Sequence, residues 1–124
     1  MLPYLQGNIA DLGCGPCLMW HGEVNLTGID QSEIAIREAR KNYPKGTFFV
    51  ADATQTGLPD GEFDTVVMFG LLDYFEDWTP VLKEAERIKK PNGKIFATLL
   101  NEFGGHDWTM YPKITGNWHL LAPV

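Results

Sequence analysis

The sequence predicts an α/β domain built on a doubly wound, mostly parallel sheet with strand order 3-2-1-4-5. Three observations predict it. Short apolar or β-branched runs alternate with amphipathic stretches from about residue 8 to residue 100. The first run breaks into a glycine turn at Gly13-Cys14-Gly15. Aspartates stand at the ends of three successive runs, at Asp11, Asp30 and Asp52. Alternation of strand and helix implies parallel pairing through right-handed crossovers. In such a sheet a ligand sits beyond the carboxyl ends of the strands, where the strand order reverses.

Each element follows from its residues. Ile9-Ala10-Asp11-Leu12 forms the first strand, with Leu2, Tyr4 and Leu5 ahead of it to cover one end. Gly13 and Gly15 lack the Cβ atoms that hold a ligand away from the backbone, and the turn offers N–H donors to an anionic or polar group. Pro16 suits the first turn of a short helix, Pro16 to His21, which Gly22 ends. Val24 to Ile29 reads as the second strand and runs into Asp30. Ser32 caps the next helix, whose first turn carries Glu33 and whose buried side is spaced by Ala35, Ala39 and Tyr43. Thr47-Phe48-Phe49-Val50 is the third strand. Phe63 to Phe69 is the fourth, apolar enough to be covered on both faces. Thr79 and Pro80 open a helix with Val81, Leu82, Ala85 and Ile88 inward. Pro91-Asn92-Gly93 then turns the chain into a fifth strand, Lys94 to Leu100.

Composition bounds the class. At 124 residues and 44% hydrophobic content, residues 1–124 make one domain, with a core at 8–100 and a tail at 101–124. The net charge of −6 argues against a nucleic-acid surface; Arg37, Arg40 and Lys41, like Lys83, Arg87 and Lys90, read as solvated helix faces. No apolar run reaches the length of a membrane span and no signal peptide opens the chain, so the expected location is cytoplasmic, away from membranes.

The run Asp11-Leu12-Gly13-Cys14-Gly15 resembles the first motif of the class I S-adenosylmethionine-dependent methyltransferases, D-L-G-C-G-x-G, with Cys17 where the third glycine belongs. The resemblance extends to Leu58-Pro59-Asp60-Gly61-Glu62-Phe63-Asp64 and to Lys90-Pro91-Asn92-Gly93, both typical of the type 11 subfamily. It implies a Rossmann-like fold and an S-adenosylmethionine site, with S-adenosylhomocysteine as product. The cofactor-binding residues would be Asp11, Gly13, Cys14, Gly15, Asp30, Gln31, Asp52, Ala53 and Phe69. Gly13 and Gly15 would face the methionine part, Asp30 the ribose hydroxyls, Asp52 the adenine amino group and Ala53 N–H the ring. The acceptor would be a small molecule or a protein. Asp73 and Tyr74 follow the fourth strand, where the family often places substrate-facing residues, and His106, Asp107, Tyr111 and His119 lie in the tail. No catalytic base is assigned among them, and no metal site is expected.

Other readings stay open. A nicotinamide cofactor fits less well, since Leu18 stands at the final glycine position of G-x-G-x-x-G. Cys14-Gly15-Pro16-Cys17 reads as the C-x-x-C of a thioredoxin-like oxidoreductase, in which a helix N-terminus would lower the thiol pKa. A third reading is a reduced cofactor-binding module that is inactive alone. It arises because Asp11 and Asp30 are closer in sequence than the family pattern by about one helical turn, and because the last two strands have no counterpart. Their loss would leave Ile95 to Leu100 as an apolar sheet edge. Such an edge recruits another strand, and the tail's Gly104, Gly105, Pro112, Gly116 and Pro123 make it a poor one. The expectation is therefore a homodimer through the fifth strand and the aromatic tail, which carries Trp108, Tyr111, Trp118, Leu120 and Leu121.

Overall fold

The structure is a computed structural model that describes residues 7–20, 22–98 and 118–120, the last three through their backbone. Its elements are β1 (Asn8–Leu12), β2 (Asn25–Asp30), α1 (Glu33–Asn42), β3 (Thr47–Val50), β4 (Phe63–Phe69), a 3₁₀ turn (Leu72–Tyr74), α2 (Thr79–Ile88), β5 (Lys89–Thr98) and β6 (Trp118–Leu120). They form one sheet of order β3-β2-β1-β4-β5-β6, parallel throughout. The first five strands stand in the expected order. Expectations that fell on Leu2, Tyr4, Leu5, His21, Leu99, Leu100, His106, Asp107, Trp108, Tyr111 and Leu121 lie outside the described residues.

Alternation along the strands divides the core. Ala10, Leu12, Val66 and Met68 face α2, joined by Val81, Leu82, Ala85 and Ile88. Ile9, Leu26, Val67 and Phe96 face α1, joined by its Ile36 and Ala39 and by Tyr43. Both central strands are therefore covered on both sides, as their nearly continuous apolar runs require. Ser32 caps α1 by accepting the Ala35 N–H at 3.1 Å, and Pro80 sits in the first turn of α2, where its missing N–H costs nothing.

Three expectations are corrected. Among the described residues no helix follows the glycine turn. Cys17 takes φ +59°, its N–H closes a turn onto the Cys14 carbonyl at 3.2 Å, and a left-handed residue there breaks a right-handed helix at its start. The helix's place on the sheet is filled by two side chains, Cys17 and Trp20, both buried in the α1-side cluster. The Pro91-Asn92-Gly93 turn does not precede β5 but bulges within it: Phe63 pairs with Lys89 and Thr65 already with Lys94. Finally, the edge of β5 is not bare. Ile95, Phe96 and Ala97 pair with Trp118, His119 and Leu120 of β6, because the tail's glycines and prolines leave residues 117–122 uninterrupted, enough for a three-residue strand. The open edge on which the homodimer expectation rested is thus occupied.

Candidate functional site

A cavity of about 550 Å³ opens beyond the carboxyl ends of β1, β2 and β4, at the reversal of strand order. One wall is polar, made by Gly13, Gly15, Asp30 and Gln31. The other is apolar and aromatic, made by Phe69, Leu71, Tyr74 and Phe75, with Ile29, Ala51, Ala53 and Gly70 completing the lining. Tyr74, 77% exposed, stands at the rim. Gly13 is required by its neighbours. Its φ is +73°, and a Cβ there would lie 2.8 Å from Leu71 Cδ1, so the glycine turn and the segment after β4 touch across the cavity floor.

The turn does not offer the free N–H donors expected of it. The Gly13 and Cys14 N–H groups both donate to the Ile29 carbonyl, at 2.7 and 2.9 Å, and Cys17 N–H is taken by Cys14. Gly15 N–H donates to Asp30 Oδ2 at 2.9 Å, and Pro16 has none. Asp30 Oδ1 in turn accepts the Ser32 N–H at 2.8 Å. What the turn presents is therefore acceptor-rich: the Asp30 carboxylate, with lone pairs left over from two bonds, and no N–H between Gly13 and Cys17 for a phosphate.

Of the expected cofactor-binding residues, Gly13, Gly15, Asp30, Gln31, Ala53 and Phe69 line the cavity. Asp11, Cys14 and Asp52 do not. Asp11 is buried, 4% exposed, and accepts the Trp20 indole N–H at 2.7 Å; desolvation pushes its pKa up to about 7, with the nearby Asp30 charge adding and the Trp20 bond opposing. Asp52 is exposed and folds back on Thr54, accepting its N–H and hydroxyl at 2.8 and 2.7 Å. Those bonds, with a smaller one from Gln31, hold its carboxyl below the ordinary range. Cys14 directs its thiol at the Gly15 carbonyl.

The two cysteines are free thiols, and without a helix behind them no dipole activates either. Burial, reinforced by the Asp11 charge, pushes the Cys14 thiol above its ordinary range and Cys17 up to about 12. A thiol so protonated is a poor nucleophile, which removes the physical basis of the thioredoxin-like reading. Sequence reasoning places Phe69-Gly70 on this edge after the fourth strand but missed Leu71 and Phe75, because the 3₁₀ turn that returns them to the cavity carries no motif.

Comparison with known proteins gives a consistent result. Residues 10–97 match the methyltransferase domain family. The chain is 31% identical over 107 residues to 27-O-demethylrifamycin SV methyltransferase of Amycolatopsis mediterranei, covering 77% of this chain and 39% of that protein. It is 28% identical over 103 residues to a ubiquinone biosynthesis O-methyltransferase of Pseudomonas aeruginosa, covering 75% and 44%. Among solved structures, an S-adenosylmethionine-dependent methyltransferase from Mesorhizobium loti superposes with a TM-score of 0.65 at 31% identity, over 76% of this chain and 47% of that one. The chain thus spans less than half the length of the curated relatives it matches.

Proposed function

The chain belongs to the methyltransferase domain family, and from that membership we propose that its cavity holds S-adenosylmethionine for methyl transfer to a small organic acceptor. The observation that carries this reading is the acceptor-rich glycine turn. S-adenosylmethionine is net cationic and presents ribose hydroxyls and an ammonium, all donors. A dinucleotide presents a pyrophosphate, which needs N–H groups that this turn has already paired.

Asp30 would accept the ribose hydroxyls on its remaining lone pairs, while Gly13 and Gly15 let the ligand approach the backbone. Ala53, Phe69 and Phe75 supply apolar surface for the adenine, and Gln31 a polar edge. Asp11 supports the turn from behind through its bond to Trp20. Held there, S-adenosylmethionine would supply an electrophilic methyl group on a sulfonium leaving group. The chain's contribution to its transfer is alignment and exclusion of water. Tyr74 stands at the rim, and its ring suits a flat, partly apolar acceptor. The Pseudomonas aeruginosa relative is an O-methyltransferase by name, which supports an oxygen nucleophile.

A second reading, a cofactor-binding module without turnover of its own, is favoured by one observation: the described acceptor wall of Leu71, Tyr74 and Phe75 contains no histidine, lysine or carboxylate to take a proton. Transfer of an isotopically labelled methyl group to phenolic acceptors separates the two. Labelled product supports the enzyme; S-adenosylmethionine binding without transfer to any acceptor supports the module.

A further inference from the structure

The apolar wall of the cavity is anchored at both ends. Trp78 is fully buried behind it, and its indole N–H donates to the Leu72 carbonyl at 3.1 Å. The same carbonyl accepts the Phe75 N–H at 3.1 Å, and the Tyr74 N–H donates to the Leu71 carbonyl at 3.1 Å. The lining residues Leu71, Tyr74 and Phe75 thus belong to one 3₁₀ turn that Trp78 holds by its central carbonyl. Trp78 is fixed in turn, since its own carbonyl accepts the Leu82 N–H at 2.9 Å and opens α2. At the other end the Gly70 N–H donates to the Thr98 carbonyl at 3.1 Å and to the Thr98 hydroxyl at 3.0 Å, which ties the exit of β4 to β5.

A single 3₁₀ turn holds little by itself. Leu71 and Phe75 have packing of their own against the cluster of Leu72, Trp78, Val81 and Leu82, but Tyr74 is too exposed for packing to place its ring. Its position at the rim follows from the backbone of the turn, and that of the turn from the Trp78 bond. Resting on the reading of this wall as the acceptor side of an S-adenosylmethionine cavity, we propose that Trp78 is a positioning residue for the methyl acceptor. Through the Leu72 carbonyl it holds Tyr74 as a preformed platform on which a flat phenolic ring lies. A platform already in place spares acceptor binding the cost of ordering it. The polar wall of Gly13, Gly15, Asp30 and Gln31 carries the cofactor, so the effect of Trp78 falls on the acceptor.

Trp78→Phe tests this, because it keeps a buried aromatic ring, removes the indole N–H and leaves the Leu72 carbonyl its bond from Phe75. The probe is 2-naphthol, a flat phenol, titrated calorimetrically into the full chain saturated with S-adenosylhomocysteine. Expected is a 2-naphthol dissociation constant raised about threefold to tenfold in Trp78→Phe and in Tyr74→Ala. The combined variant should show no further rise, since both changes remove the same platform, and S-adenosylhomocysteine affinity should stay within about twofold of wild type. If Trp78→Phe does not fold, the benzothiophene isostere of tryptophan at position 78, which removes only the N–H, gives the same constants. Unchanged 2-naphthol affinity in Trp78→Phe, or losses that add in the combined variant, overturn the proposal and leave the cofactor reading intact. So does failure of 2-naphthol to bind the loaded wild type. A variant that is merely less folded lowers the binding stoichiometry with both constants unchanged, which overturns it too. Failure of S-adenosylhomocysteine to bind overturns the cofactor reading and the proposal with it.

Discussion

The Asp30 carboxylate accepts the Gly15 N–H at 2.9 Å, so the end of β2 fixes the glycine turn that follows β1. One side chain thereby shapes the cavity and supplies its main acceptor. Asp30→Ala removes both roles: the affinity for S-adenosylmethionine should fall by about ten- to a hundredfold, corresponding to ~1.5–3 kcal/mol for charge-assisted bonds. Calorimetry measures it. An unchanged affinity would place the ribose elsewhere.

Asp11 makes stability depend on pH in an unusual direction. Its pKa is 3.8 by the ordinary value and about 7 in the fold, so the folded chain binds more protons between those limits. Stability from this group therefore falls as pH rises from about 4 to about 7. Asp11→Asn should flatten that slope in melts taken across the range. A wild-type melting temperature that climbs steadily from pH 4 to pH 7, unaltered by the substitution, would contradict it.

Glu84 acts with the opposite sign. It is buried against α2's own turn, accepts the Thr56 N–H and hydroxyl at 2.8 and 2.7 Å and takes Arg87 bidentately at 2.8 Å. Arg87 chiefly, with Thr56, lowers its pKa from 4.5 to about 2. Its stabilisation is present above pH 4.5 and lost as pH falls toward 2. Glu84→Gln should cost about 1–3 kcal/mol at neutral pH and less below pH 3, measured by denaturant unfolding; a loss independent of pH would indicate packing alone.

The thiols are structural. Cys14→Ser with Cys17→Ala should keep cofactor affinity within a few-fold, and the wild type should not reduce insulin disulfides. Catalysed reduction that is lost in the double variant would restore the redox reading.

Most of the fold was legible because its signals are local. The apolar run of Phe63–Phe69 marked a central strand, and Thr79-Pro80 marked the start of α2. What was not legible depends on contacts between distant residues. The spacing predicts a short helix over Pro16 to His21, yet residues 16–20 form an irregular cover in which Trp20 reaches Asp11, and nothing in the spacing announces that bond. The same bond draws Asp11 away from the cavity where the motif placed it. The tail's breakers argue against a regular strand, yet three residues of β6 pair with β5. In the site, glycines and Asp30 were visible because backbone geometry demands them; Leu71 and Phe75 were not, because any apolar residue can line a wall.

The central claim is that the cavity beyond β1, β2 and β4 takes a cationic nucleoside cofactor. Parallel calorimetric titrations of the chain with S-adenosylmethionine and with NAD at pH 8 test it most directly. Expected is saturable micromolar binding of S-adenosylmethionine and no saturation by NAD at millimolar concentration. Binding of NAD as tight as that of S-adenosylmethionine, or no binding of S-adenosylmethionine by the folded chain, would contradict it.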